Sequence, residues 1–249
     1  MKNLQAQPDA YLRAFFHVRS EDLGSPFFSH LPRWRLTQQI KGILSRDVQA
    51  AIARHDPMEE LRGRLPREYA GWHPLAQAQY LESTILLPGY ILSSQGDRPA
   101  MAQSIEGRFP FLDARIMDWA AKLPPHLKLA GLDEKHILKR AAGDLVPPRV
   151  LERKKQPYRA PDAASFIDPV LRRSRHAYVD EVLSPERVAK GGILDPKSVQ
   201  KLVEKVRAGS AVGVKDNMAF VAALSTQLVV DRFLDGFESG LLASRQAIP

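Results

Sequence analysis

Two stretches of the sequence gather the residue types that handle charged substrates. The first runs Asp97-Arg98-Pro99-Ala100-Met101-Ala102-Gln103-Ser104-Ile105-Glu106-Gly107-Arg108-Phe109-Pro110-Phe111-Leu112-Asp113. It sets three carboxylates and two guanidinium groups beside a Phe-Pro-Phe turn. The second, Arg153-Lys154-Lys155-Gln156-Pro157-Tyr158-Arg159-Ala160-Pro161, is a cationic loop pinned by prolines. Between them lies a helical segment ending in Lys135-His136-Ile137-Leu138-Lys139-Arg140. Fixed cations are needed where two anions must approach and negative charge moves onto a leaving group. The two stretches read as two walls of one anion-handling site.

The elements that must position these residues are helices. Leu36 to Arg54 reads as one, with Leu36, Ile40, Ile43 and Leu44 at helical spacing and Val48 and Ile52 continuing the face. Leu75 to Leu92 is a long apolar helix that Pro88-Gly89 should kink or end. Ser93 to Gly96 reads as a loop, with Asp97 as the cap of a helix after it and Pro99 in that helix's first turn. Leu112 to Leu123 is amphipathic, and Asp113 is its simplest N-cap. Asp133 is expected to cap Glu134 to Asp144, placing Lys135 and Lys139 on one helical face. Ala163 to Leu183 predicts one or two helices, Pro196 to Arg207 another, and Lys215 to Phe233 a buried last helix with Phe220, Leu224 and Leu228 recurring. Near the start, Asp9 can cap a short helix carrying Leu12, Phe15 and Phe16. No clean two-residue alternation appears, and no boundary divides the chain. A mainly α fold in one domain, 1–249, is expected.

Composition narrows the function. The 249 residues, 44% hydrophobic and 26% charged, suit a globular protein. No cysteine is present, which excludes disulfides, thiolate metal sites and a cysteine nucleophile within these residues. The seven histidines show no metal-ligand spacing, so no metal site is predicted. No run approaches about 18 apolar residues, and the first residues are polar. No membrane partner and a cytoplasmic location are expected. The net charge of +8 is scattered without a nucleic-acid motif, so no nucleic-acid partner is expected. The excess suits a nucleotide, an acidic substrate or a missing acidic partner.

With the three motifs in view, the chain resembles the synthetase domain of the glutamine-hydrolysing asparagine synthetases. That family's run is close to D-R-x-x-M-A-x-S-x-E-x-R-x-P-F-L-D, matched by Asp97, Arg98, Met101, Ala102, Ser104, Glu106, Arg108, Pro110, Phe111, Leu112 and Asp113. Its K-x-x-L-[KR] helix is met by Lys135, Leu138 and Lys139. Its R-x-K-Q-x-[FY] loop is met by Arg153, Lys155, Gln156 and Tyr158. The resemblance runs from about residue 10 to about residue 235. The family's glutaminase cysteine, its S-G-G-x-D-S pyrophosphate loop and a further acidic motif are not in the sequence. The resemblance therefore implies the helical C-terminal portion of an α/β adenine-nucleotide-hydrolase-like (ATP-pyrophosphatase) synthetase domain, whose parallel sheet lies largely upstream.

The reaction so implied activates the aspartate side-chain carboxylate with ATP as an acyl-adenylate. Glutamine-derived ammonia then attacks to give asparagine, or, in a specialised relative, another amide or a lactam. By resemblance Lys155 reaches the α-phosphate and the departing pyrophosphate. Glu106 either pairs with Arg108 in a buried, site-shaping ion pair or faces the amino group of aspartate. Asp97 and Arg98 cap a helix or contact substrate. Arg153 and Lys154 either touch substrate or carry surface charge, and Lys135 looks toward phosphate or toward solvent. Tyr158 closes the loop. The implied cofactors are ATP and Mg²⁺, the metal held mainly by ATP phosphates and by carboxylates outside these residues. A complementary N-terminal chain is an expected partner, because these residues without the pyrophosphate loop are not expected to catalyse the reaction.

Overall fold

The computed structural model describes residues 19–131, 133–153, 162–168, 170–210 and 213–236. It is mainly helical, as the apolar spacing predicts. Strands among the described residues form two short antiparallel pairs, Leu129–Ala130 with Asp133–Glu134 and Ile167–Asp168 with Arg173–Ser174. The expected helix after Asp9 lies outside the described residues. The chain gathers into two compact units, Met1–Leu31 with Arg64–Gln156, and Pro32–Gly63 with Pro157–Pro249. The crossings carry no shift in composition, which is why the sequence shows no boundary there.

The second unit has a closed core. Asp195 accepts the Ser198 N–H at 2.7 Å and caps the helix Pro196–Arg207, with Pro196 in its first turn. Val199, Leu202, Val203 and Val206 fall on one face and are buried. The helix Val214–Val229 buries Ala219, Phe220, Ala223 and Leu224, with Leu228 partly buried against the same core, and the Phe220 ring lies 6.2 Å from that of Phe166. Ile167, Val179, Val182, Leu183, Val188 and Leu194 complete the core. Each such side chain contributes about 1.5–3 kcal/mol by leaving water.

The expected helix Leu36–Arg54 is broken, and the run Ala163–Leu183 is only partly helical. Leu36–Arg54 is not continuous. The helix Leu31–Gln38 tightens over Gln39–Ile43, and a new helix, Arg46–Ile52, starts at the cap Ser45. The break is held by hydrogen bonds to a distant segment. Ser45 N donates to Ile193 O at 2.9 Å, Asp195 N to Ile43 O at 2.8 Å, and Ser45 Oγ to Gly192 O at 2.7 Å. Among its described residues Ala163–Leu183 carries the end of a 3-10 turn, Asp162–Ser165, then a strand pair and the helix Ala177–Val182, in keeping with the one or two helices expected. Asp168 turns that pair by accepting the N–H groups of Val170 and Leu171 at 2.9 and 3.0 Å.

In the first unit Tyr69 is buried and well bonded. Its hydroxyl donates to Pro26 O at 2.8 Å, and its ring lies 5.5 Å from Trp72 and 5.7 Å from Tyr80. Phe27, Leu31 and Leu81 are also buried. His73 caps the helix Pro74–Leu81 by accepting the Leu75 N–H. Pro88-Gly89 does not end the helical path. Glu82–Asp97 continues in wide i→i+5 turns that pass over the missing Pro88 N–H. Ser93 Oγ and Ser94 Oγ both donate to Gly89 O there. The loop expected at Ser93–Gly96 is therefore part of this helical run. From Glu82 to Arg153, no described residue is buried.

Candidate functional site

The first motif begins inside a helix. Asp97 has φ −64° and ψ −48°, and its side chain makes no cap hydrogen bond. The expected cap fails because the preceding turns already supply carbonyls to the N–H groups of Arg98–Ala102. Arg98 opens that short helix and is exposed. The helix ends on Ser104 in the left-handed region, φ 56°. Ile105 N donates to Ala100 O at 2.9 Å and Ser104 N to Met101 O at 3.0 Å, the paired bonds of a Schellman end.

Glu106 and Arg108 come next. Arg108 Nη2 lies 3.1 Å from Glu106 Oε1, so the expected ion pair forms. It is not buried: the two side chains are 83% and 74% exposed, and an exposed pair contributes little to stability. At Gly107 a Cβ would come within 2.5 Å of the Phe109 ring, so the residue between the pair must be small or the ring must move. Asp113 caps the helix Ala114–Ala121, as expected. It accepts the Arg115 N–H at 2.9 Å and both Nε and Nη2 of the same guanidinium at 3.0 and 2.9 Å. Those Arg115 bonds hold the Asp113 carboxyl below its usual range.

The middle motif differs from the expected helix. Asp133 lies in a two-residue strand, Lys135 takes φ 58° and ψ 33°, and the helix is only His136–Ala141. Lys135 therefore precedes the helix, and the expected common face of Lys135 and Lys139 does not exist. Asp133 caps no N–H at the helix start. It holds side chains instead, with His136 Nδ1 at 2.9 Å and the Lys139 ammonium on its other oxygen. The Lys139 and His136 hydrogen bonds keep the Asp133 carboxyl below its ordinary value. Lys135 is exposed. Arg153 is exposed beyond the short helix Pro148–Leu151. Lys154, Lys155 and Tyr158 lie outside the described residues.

Of the predicted site residues, the structure brings together Glu106 and Arg108. Among the described residues no ion pair joins Asp97, Arg98, Lys135 or Arg153 to another of the set. The Asp133–His136–Lys139 cluster was missed, although its i, i+3, i+6 spacing was visible. Among the described residues no group of three or more His, Asp or Glu side chains is placed to hold a metal ion. Around the motifs, large apolar side chains face solvent: Phe109, Phe111, Ile116, Met117 and Trp119 are all more than a third exposed. Large contiguous exposed apolar patches mark interaction surfaces, and these five side chains are neighbours in sequence. None of the described helices is long and apolar enough to cross a membrane.

Among the described residues the motifs thus supply one exposed Glu106–Arg108 pair and one Asp133–His136–Lys139 cluster on a mainly helical scaffold. The model of the asparagine synthase family matches residues 9–230, nearly the whole chain, and the chain belongs to that family. Over 140 residues it is 32% identical to amidase chyE of Penicillium rubens, covering 54% of this chain and 20% of that protein. Over 144 residues it is 31% identical to a putative glutamine-hydrolysing asparagine synthetase of Mycobacterium bovis, covering 58% and 21%. Over 94 residues it is 36% identical to asparagine synthetase 1 of Bacillus subtilis, covering 38% and 15%. The chain thus matches about a fifth of the length of these relatives. No solved structure matches it.

Proposed function

We propose that this chain is the helical part of an ATP-dependent amide-forming ligase, and that its two units belong to one partial synthetase domain. The carrying observation is the ordered set of three motifs inside a family match that spans both units. In this reading ATP adenylates the side-chain carboxylate of aspartate, and glutamine-derived ammonia displaces AMP to give asparagine. Lys155 steadies the α-phosphate and the departing pyrophosphate. Losing one such donor costs about 3–4 kcal/mol of transition-state stabilisation. Glu106 faces the amino group of aspartate, with Arg108 holding its carboxylate. Lys135, Arg153 and Lys154 offset phosphate charge, Asp97 and Arg98 line the wall, and Tyr158 closes the loop over it.

The exposed apolar residues around the motifs support a further part of the reading. The chain works with a polypeptide segment, in the same chain or another, that carries the pyrophosphate loop and the nucleotide-binding sheet. The test is aspartate-dependent ATP–pyrophosphate exchange, measured with the chain alone and with the polypeptide encoded directly upstream. Exchange that needs both, and is lost in Lys155→Ala, is expected. Exchange by the chain alone would overturn the need for a partner. An assembled enzyme that makes AMP without an amide product would overturn the ligase reading. The match to amidase chyE favours a second reading, a specialised amide synthetase. A panel of acids offered with ammonia separates the two, because asparagine synthesis requires aspartate to be the preferred acid.

A further inference from the structure

We propose that Asp133 is a positioning residue that clamps His136 and Lys139 and thereby fixes the left-handed turn presenting Lys135. The proposal rests on the synthetase reading above, in which Lys135 meets phosphate. A hairpin leads into the clamp: Leu129–Ala130 pairs with Asp133–Glu134 across a turn containing Gly131 at φ +60°. The helix His136–Ala141 leads away from it. Lys135 alone joins strand to helix, at φ 58°, where a side chain with a Cβ is disfavoured and persists only if its surroundings hold it. Asp133 supplies that hold from both oxygens, one on His136 and one on Lys139. An ionised carboxylate only accepts hydrogen bonds, so His136 Nδ1 carries the proton. The clamp also divides the motif's two lysines. Lys139 is neutralised by Asp133, whereas Lys135 is exposed and in no ion pair among the described residues.

The test uses the full 249-residue chain. Side-chain ¹⁵N spectra should show His136 protonated at Nδ1. Asp133→Asn should lose that signature, and Asp133→Glu should restore it. A neutral His136 protonated only at Nε2 would overturn the clamp. In pyrophosphate titrations of the chain assembled with the polypeptide that carries the pyrophosphate loop, Lys135→Gln should weaken binding about tenfold and Asp133→Asn about threefold, with Asp133→Glu recovering most of the loss. Asp133→Asn binding as tightly as the parent, while Lys135→Gln is weakened, would overturn the positioning role and leave the synthetase reading standing. A parent assembly that binds no pyrophosphate would overturn both.

Discussion

Two helices of this molecule are built to the same local rules and end differently. Pro196–Arg207 and Ala114–Ala121 each start at an Asp cap and each carry an amphipathic stripe. The first buries Val199, Leu202, Val203 and Val206. The second leaves Ile116, Met117 and Trp119 between 43% and 59% exposed. Local sequence fixes that a helix forms and which face wants cover. It does not fix that the cover lies in the same stretch of chain. The contrast extends to whole regions, because residues 163–230 hold the closed core and the motif-bearing residues 82–153 bury nothing among those described.

The largest predicted effect comes from the core. Phe220→Ala should lose about 3–5 kcal/mol in urea unfolding, because it removes a fully buried ring and leaves a cavity. Trp119→Ala should change the stability of the isolated chain by less than about 0.5 kcal/mol, although its ring is larger. Equal losses from the two would break the comparison. Next comes Ser45→Ala, which removes a helix cap and the bond to Gly192 O. It should cost about 1–2 kcal/mol, read as a lower midpoint at unchanged slope.

Ser104→Gly should gain about 0.5–1 kcal/mol, since glycine adopts the left-handed Schellman position without the penalty that a Cβ brings. A loss in that variant would mean that the Ser104 hydroxyl is held by contacts that outweigh the backbone.

The smallest effect is a pH dependence. Hydrogen bonds from Ser198 hold the Asp195 carboxyl below its ordinary value of 3.8. Between the folded and unfolded values the unfolded chain binds more protons, so stability falls as pH falls. The Asp195 contribution is whole above the ordinary value and is lost as pH drops through the lowered one. Asp195→Asn keeps a capping oxygen without the titration, and its acid unfolding limb should be shallower than the parent's.

The legible parts of the fold were those set by local chemistry. Pro196, Asp113 and the Phe220–Leu224 spacing each announce a helix start or a buried face. The illegible parts were set by distant bonds or by turn chemistry. The break at Ile43–Ser45 depends on Ile193 and Asp195, and Asp168 makes a strand turn out of a helix-like run. At the site, the pairing of Glu106 with Arg108 could be read across one glycine. Its exposure could not, because burial depends on what lies opposite. Lys135 was misplaced onto a helix because its left-handed backbone leaves no mark in a lysine.

Hydrogen–deuterium exchange on the 249-residue chain, alone and assembled with the proposed polypeptide that carries the pyrophosphate loop, tests most directly whether the motif-bearing surface is one that a partner covers. Slow exchange is expected across 199–206 and 219–228 in both states. Residues 98–121 should exchange fast in the isolated chain and slow markedly on assembly. Protection of 98–121 in the isolated chain equal to that of the core helices, or no change there on assembly, would contradict a partner-covered surface.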